Sequence, residues 1–437
     1  MKKSVIALIL LAVIIIIISP GIVGKLAENS VGESLNWAAE ESGELVVTSD
    51  AFDRGWFSSE GQHRVTLGQG QLRSTVATMT DDDKAVPVLL INTHIDHGLI
   101  PLTSMSREQG SLAPGLGSAV STLAIELDDG ETIDIPGTIY SEVGLTGDLD
   151  SRYVVEAGTH VVEDGEITWQ ATTINVITSE RTSNIEFNGD IGPMTFGNQT
   201  QVVAIDGVTF NGDQARTRYG FNVGNVDLRV GEITTSSTGV SLGGMKGMNV
   251  MASSSVDDGI AAATVRLELS GQTIPEFGDI SVIADLNTAG LDAESLGAVT
   301  RRLNQLANNT DPAQILAIAE PELRDLFASG FDLTVEQFEV ALPMGTVETT
   351  MSFEFPGSDG AAFEWTSLLL STVAAIDLRV PEALVQLASS VNPQAGALVG
   401  MGYLKKEGDV YVMDADFKKG LLTINGAPIP IPMGAFQ

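Results

Sequence analysis

Short segments in which apolar and polar residues alternate recur along the chain and constrain its fold more than any other feature. In residues 263–269, three apolar side chains alternate with three polar ones: Val265, Leu267 and Leu269 with Thr264, Arg266 and Glu268. A period of two places one set on a core and the other in water. The same alternation recurs in residues 131–135, 165–177, 221–230, 279–286, 335–342 and 347–355. The sequence therefore predicts a mainly β protein, with enough helical signal to be classed as α+β.

Turn dipeptides between these segments predict how the strands connect. Four pairs suit tight hairpins: Asp129-Gly130, Asp164-Gly165, Asn211-Gly212 and Asp258-Gly259. Near the end of the chain, residues 410–417 and 421–425 flank the turn 418–420 and predict a closing hairpin. Consecutive strands joined by short turns indicate an elongated antiparallel meander rather than βαβ crossovers.

Helical periodicity appears late in the chain. Residues 291–308 carry an apolar stripe, and Asp292 stands where a helix cap is expected. Pro312 opens a second helix to about Phe327, in which Pro321 is expected to kink or divide the helix. A third, short helix is predicted from Pro381 to about Ser390.

The amino terminus predicts a single transmembrane helix. Lys2 and Lys3 precede an apolar run over residues 5–18, and residues 4–23 form a stretch of about 30 Å as a helix. Because the lysines precede the run, the amino end is expected in the cytoplasm and the rest outside it. A cleaved signal peptide is the alternative, since the run also suits the apolar core of such a peptide.

These signals divide the chain into five predicted segments. They are an anchor (1–24), a helical stalk (25–43), an elongated antiparallel β region (44–290), a helical insertion (291–328) and closing strands with a short helix (329–437).

Composition excludes several classes of function. The 437 residues have 43% apolar content, which suffices for a core, and a formal net charge of −34. The absence of cysteine excludes disulfides, thiolate catalysis and iron–sulfur clusters. With Lys+Arg at 23 against Asp+Glu at 57, the chain is not expected to bind nucleic acid or to attach to anionic lipids through a basic patch.

One serine lies in a motif typical of hydrolases. Residues 239–243 match G-x-S-x-G around Ser241, a motif that requires a strand, a sharp turn and then a helix. No helical pattern follows Ser241, and all four histidines lie upstream (His63, His94, His97 and His160). We therefore interpret the motif as a glycine-rich strand edge.

The densest group of potential metal ligands is His94, Asp96 and His97. On a strand, His94 and Asp96 share one face and His97 points to the other, which is poor geometry for one metal ion. The run 81–83 and the pair Asp414 and Asp416 lack a calcium-loop spacing. The sequence thus assigns no catalytic residue, no cofactor-binding residue and no metal ligand, and we expect a protein that is not an enzyme.

Two early motifs resemble a known family. Residues 52–59 (FDRGWFSS) and 95–102 (IDHGLIPL) are similar to motifs of the YdgA-like family of bacterial inner-membrane-anchored proteins, a domain of unknown function. The likeness continues through Gly130-Glu131-Thr132 and 341–343 to a closing segment, 422–426, and so covers residues 1 to about 428. The chain departs from the family at Leu99, where the family tends to have proline. The resemblance implies a membrane anchor and carries no catalytic residues.

Three hypotheses of function follow. The first is a non-enzymatic envelope protein in the bacterial inner membrane, with most of the chain in the periplasm and an apolar β face that holds lipid or acyl chains, as in the AsmA type that this architecture resembles. The second is a structural or assembly partner for another envelope protein, docked through sheet edges or the helical insertion. The third is a periplasmic hydrolase that uses Ser241 or His97.

Overall fold

The computed structural model describes residues 45–54, 58–67, 88–97, 115–126, 132–144, 146, 148–162, 165–179, 184–198, 200–274, 278–305, 312–358, 363–364 and 370–429. Within them the protein is mainly β, and the paired strands are antiparallel. The chain divides into two compact units. The first contains the described residues up to Arg216 with 237–239 and 301–318, and the second contains 217–236, 240–300 and those from Ala319 onward.

Nine long strands of the first unit form an antiparallel meander. In sheet order they are β1 (Leu45–Arg54), β2 (Ser58–Leu67), β3 (Val88–His97), β4 (Gly115–Glu126), β5 (Thr132–Gly144), β6 (Leu149–Val155), β9 (Thr172–Ser179), β10 (Asn184–Ile191) and β13 (Val208–Arg216). Four shorter strands pair in the order β7 (Gly158–Val162), β8 (Gly165–Trp169), β11 (Met194–Gly197) and β12 (Gln201–Ile205).

One face of this meander is tightly buried. Alternate residues that face one another across the strands are 2–6% exposed, among them Val65, Leu89, Ile91, Leu123, Ile125, Ile139, Leu149, Ile174 and Val176. Tyr153 lies on the same face, and its hydroxyl donates a hydrogen bond of 2.7 Å to the carbonyl of Pro136. Burial raises the pKa of Tyr153 well above its ordinary value. The first unit therefore has a filled core.

The second unit is also built of antiparallel strands. Its strands follow in the order β14 (Asn222–Val230), β17 (Gly247–Asp257), β18 (Ile260–Ile274), β19 (Gly278–Asp292), β20 (Phe331–Leu342), β21 (Gly345–Phe355), β22 (Val373–Pro381) and β24 (Val410–Lys418). Beyond β24 lie β23 (Lys405–Glu407) and β25 (Leu421–Ile424), and β26 (Ala427–Ile429) pairs with β25. Separately, β15 (Ile233–Ser237) pairs with β16 (Val240–Met245).

The helices lie close to where the sequence predicts them. They are α1 (Ala293–Gln305), α2 (Pro312–Ala328), α3 (Glu382–Val391) and α4 (Pro393–Gly400). The backbone N–H of Ser295 donates to the Asp292 carboxylate at 2.8 Å, which confirms the predicted cap. Pro321 lies inside α2 and does not divide it. A fourth helix, α4, has no counterpart among the predicted helices and follows α3 after a single residue.

Two predicted hairpin turns are confirmed in detail. Asp258 and Gly259 both have positive φ, and they connect β17 to β18, in which Asp257 pairs with Ile260. Lys419 and Gly420 connect β24 to β25 in the same way. Two consecutive positive φ values are typical of the turn whose twist matches that of paired strands.

Other local predictions are wrong. Asn211-Gly212 is not a turn but lies inside β13, where Gly212 faces Phe187 of β10. The predicted strand 165–177 is two strands, β8 and β9, in different sheets. Asn425 and Gly426 form a turn with positive φ, so the closing strand ends at Ile424. In each case the pairing is set by strands distant in sequence or by the next turn.

Other predictions lie outside the described residues. None of the helices in the described part of the chain is both long and apolar enough to cross a membrane. The predicted anchor (1–24) and stalk (25–43) lie outside that part, as do Asp129-Gly130, Asp164 and the run 81–83. Arg54 pairs with Ser59 across β1 and β2, so the chain reverses direction within the first family-like motif (52–59), although Gly55, Trp56 and Phe57 are themselves outside the described residues.

Candidate functional site

His94 and Asp96 of β3, which we call the His94 cluster together with Glu60 of β2, form a local polar contact between the two strands. His94 Nε2 lies 3.2 Å from Asp96 Oδ1, and His94 Nδ1 lies 3.6 Å from Glu60 Oε1. Asp96 is fully buried, whereas Glu60 is exposed and faces His94 in the strand register. His94 and Asp96 thus share a face as the alternation predicts. The imidazole lies between two carboxylates, an arrangement that joins two strands.

The remaining candidate ligands are dispersed. His63 is buried on β2, His160 is exposed on β7, and the side chain of His97 lies outside the described residues. Asp414 and Asp416 lie on β24, where Asp414 faces Asp377. Within the described ranges, no group of three or more His, Asp or Glu residues is placed to hold a metal ion.

Ser241 lies in a strand–turn–strand setting. Thr238 and Gly239 have positive φ between β15 and β16, and Ser241 is the second residue of β16, where it is exposed. The hydrolase motif instead requires a helix directly after the nucleophile, which places the hydroxyl at the helix start. The local structure is therefore a hairpin with a strand, not a helix, around Ser241, in agreement with the predicted glycine-rich strand.

The most extensive feature of the second unit is an apolar face that crosses its sheet. On β18, Val265 and Leu267 face Ala252 and Val250 of β17 on one side and Leu286 and Ala284 of β19 on the other. Leu286 in turn faces Val335, and Ala284 faces Phe338. The rows continue through β21, β22 and β24, as in Val335–Met351–Ile376–Ala415. We call the side of the sheet that carries these rows the apolar face.

Much of the apolar face is accessible to solvent. Val265 is 41% exposed, Leu286 is 38% exposed and Phe338 is 36% exposed, in contrast to the 2–6% of the core residues in the first unit. Soluble proteins rarely leave a contiguous apolar surface uncovered unless it contacts something else. The exposure therefore makes this face a candidate binding surface.

One end of the apolar face is closed by phenylalanine rings. Phe331 lies 5.3 Å from Phe353 and 5.4 Å from Phe327 of α2, measured between ring centroids. Phe363 packs against Phe327 and Phe355, at 6.0 Å from each. Phe355 is 1% exposed. These aromatic contacts bury one end of the face, whereas Val265, Leu286 and Phe338 belong to rows further along the strands.

The opposite side of the same sheet is charged. Arg266 of β18 contacts Glu268 at 2.8 Å and Asp285 of β19 at 3.1 Å. Hydrogen bonds to Glu268 and then to Asp285 raise the pKa of Arg266 above its ordinary value. On β14, Arg229 pairs with Asp227 at 3.1 Å. This side suits water, so the sheet has one wet face and one apolar face.

A protein-family model covers nearly the whole chain. A family model described as a bacterial protein of unknown function (DUF945) matches residues 1–432. The chain belongs to this family. The match includes the strands that form the apolar face as well as the His94 cluster and the hairpin around Ser241. No curated protein and no solved structure matches the chain.

Alternation in the sequence predicts the two faces of β18 but not the continuity of the apolar rows across the sheet. Val265 and Leu286 are 21 positions apart and meet only because β18 and β19 pair in that register. The alternation in 279–286 and 335–342 is the signal that such rows exist. Which side chains face one another, and how exposed they are, depends on the register.

Proposed function

We propose that this protein is a non-enzymatic, membrane-anchored component of the bacterial envelope whose apolar face holds the acyl chains of lipids. The observation that carries the proposal is the exposure of Val265, Leu286 and Phe338 on a face that runs across seven paired strands. We also propose that, within its family, the chain is a YdgA-like protein. For its location, we propose that residues 4–23 anchor the chain in the inner membrane and that the remainder lies in the periplasm.

The energetics favour an acyl chain as the occupant. Each methylene group removed from water contributes about 0.8 kcal/mol, so a chain of about 14 methylenes provides about 11 kcal/mol before ordering costs. The half-exposed side chains beneath it contribute further by losing their own contact with water. A small polar ligand has few methylene groups to remove from water, so it would gain little of this free energy. It would also find no charged partner among the aliphatic residues of these rows.

Photo-crosslinking in cells tests the proposal. We expect p-benzoylphenylalanine introduced at Val265 to form lipid adducts that mass spectrometry detects, because this side chain lies on the apolar face. The same probe at Thr264, the adjacent residue on the wet face, is the control and should form none. Equal labelling at both positions, or no adduct at Val265, would contradict the proposal.

A charge on the apolar face provides a second test. Val265→Glu should abolish lipid crosslinking from a probe at Phe338, because a carboxylate in this row would be desolvated by a bound chain. Since Val265 is 41% exposed, the carboxylate reaches water in the empty protein, and folding should survive. Thr264→Glu is the matched control, with the same charge on the same strand. Retained crosslinking in Val265→Glu would show that the chain lies elsewhere.

A further inference from the structure

The two helices α3 and α4 form a hairpin without charge. Residues 383–404 contain no Asp, Glu, Lys or Arg, although the whole chain has 57 acidic and 23 basic residues. Charges return at the base of the hairpin, where the Lys406 ammonium pairs with the Glu382 carboxylate. We call residues 383–404 the uncharged hairpin.

The uncharged hairpin exposes large apolar side chains. Val391 is 80% exposed and Met401 is 56% exposed, and Leu387 and Leu398 are each about 40% exposed. Leu387 and Val391 are four residues apart in α3 and therefore share one side of the helix. Val385, in contrast, is 7% exposed. The hairpin thus has a buried side and a free apolar side.

Two serine hydroxyls and the carbonyl oxygen of the Asn392 side chain are hydrogen-bonded within the uncharged hairpin. The hydroxyls of Ser389 and Ser390 donate to the carbonyls of Val385 and Leu387, each at 2.7 Å. At the turn between the helices, the Asn392 side chain accepts from the backbone N–H of Gln394 at 3.0 Å. Such internal pairing is what a segment requires when it leaves water for lipid, where unpaired polar groups are costly.

Length and charge define what this surface contacts. With 10 and 8 residues, α3 and α4 are about 15 Å and 12 Å long, too short to cross a hydrocarbon core of about 30 Å. They are long enough to lie at the boundary of head groups and acyl chains. A chain of net charge −34 is repelled by anionic head groups, so it can approach a bilayer only through an uncharged apolar element.

We propose that the uncharged hairpin inserts into the surface of a phospholipid bilayer and connects it to the apolar face. Ile376 and Leu378 of β22 lie in the apolar rows, and β22 leads directly into α3 at Pro381. The hairpin therefore begins at the end of a strand that carries the apolar rows, so an acyl chain leaving the bilayer there starts next to that face. This role rests on the proposed lipid-holding function and specifies where lipid enters.

The absence of cysteine allows the insertion to be measured directly. The full chain with Val391→Cys, labelled with an environment-sensitive fluorophore, is reconstituted in vesicles of phosphatidylethanolamine with a minor fraction of phosphatidylglycerol. We expect emission at shorter wavelength and quenching by doxyl-labelled lipid. Val161→Cys on β7, an equally exposed valine at 74%, is the matched control and should show neither. An unquenched label at residue 391, or one shielded only by an added protein, would overturn the proposal.

A second variant separates this proposal from the proposed function. Val391→Glu should slow lipid exchange between vesicles about tenfold, because a carboxylate at this position opposes insertion of the hairpin into the bilayer. Unchanged exchange would overturn the proposal. Lipid crosslinking at Val265 without quenching at residue 391 would refute the hairpin alone. Quenching without crosslinking would refute the lipid-holding face and leave the hairpin as a membrane contact.

Discussion

A network around Asp279 shows how single residues stabilise the hairpin of β18 and β19. The Thr273 hydroxyl donates to Asp279 Oδ1 at 2.8 Å, and the Lys246 ammonium donates to Oδ2 at 3.1 Å. The pKa of Asp279 is lowered, first by the hydrogen bond from Thr273 and then by the hydrogen bond and charge of Lys246. A carboxyl whose pKa is depressed on folding stabilises the folded state above its unfolded pKa, and this contribution disappears as the pH falls through the folded pKa.

We therefore expect Asp279→Asn to lower stability at neutral pH and to have little effect once the pH is below the lowered pKa of Asp279 in the folded protein, where the wild-type carboxyl is itself protonated. Denaturant unfolding of both proteins between pH 7 and pH 2 measures the difference. Thr273→Val, which removes the largest cause of the lowered pKa, should show a smaller change of the same sign. A difference that persists at the lowest pH would assign the effect to packing instead.

At the scale of elements, the junction between β19 and α1 depends on one cap. Asp292 ends the strand, its carboxylate accepts from Ser295, and Ala293 N–H donates to the carbonyl of Gly259 at 2.8 Å. Glu294 in the first turn and Arg302 in the last suit the helix dipole. Two of the first N–H groups of the helix, those of Ala293 and Ser295, thus have acceptors outside the helix backbone.

Removal of this cap should cost about 1 kcal/mol of unfolding free energy in Asp292→Ala, because an orphaned backbone N–H loses its acceptor. Asp292→Asn keeps an acceptor oxygen and should remain close to wild type. Chemical denaturation of the three proteins under identical conditions provides the comparison. Equal losses in both variants would indicate that the charge, rather than the cap, is what matters.

At the scale of the molecule, the two units contain similar strands whose apolar faces differ in how much solvent they contact. Both contain antiparallel sheets with alternating residues, yet Leu149 in the first unit is 2% exposed whereas Val265 in the second is 41% exposed. Alternation sets which side chains share a face, and the cover over that face determines whether it becomes a core or a surface. A filled core suits stability, and an open face suits binding.

The proposed anchor leads to a prediction for the whole chain. A reporter that is active only outside the cytoplasm should work when it is fused after Leu35, because Lys2 and Lys3 retain the amino end inside. The full-length protein should fractionate with the inner membrane. A soluble species that begins near Lys25 would replace the anchor with the cleaved signal peptide.

Local signals sufficed wherever the structure is decided by neighbouring residues. The turns at Asp258-Gly259 and Lys419-Gly420, the cap at Asp292 and the helix after Pro381 are all confirmed. Each depends on backbone conformations or hydrogen bonds within a few positions, so residue types in sequence carry the information.

Strand pairing between residues far apart in sequence decided the features that local signals did not predict. Asn211-Gly212 has the composition of a turn, but β10 pairs along β13, and Phe210 lies over Gly189 of that neighbour strand. The same holds for the candidate site, because Val265 meets Leu286 through strand register and Leu286 meets Val335 through the next pair. Periodicity identifies a face on each strand. The strand register determines that these faces join into one apolar surface, and the absence of a covering element over much of it, among the described residues, leaves it exposed. The register and the cover both depend on contacts between residues far apart in sequence, which periodicity does not encode.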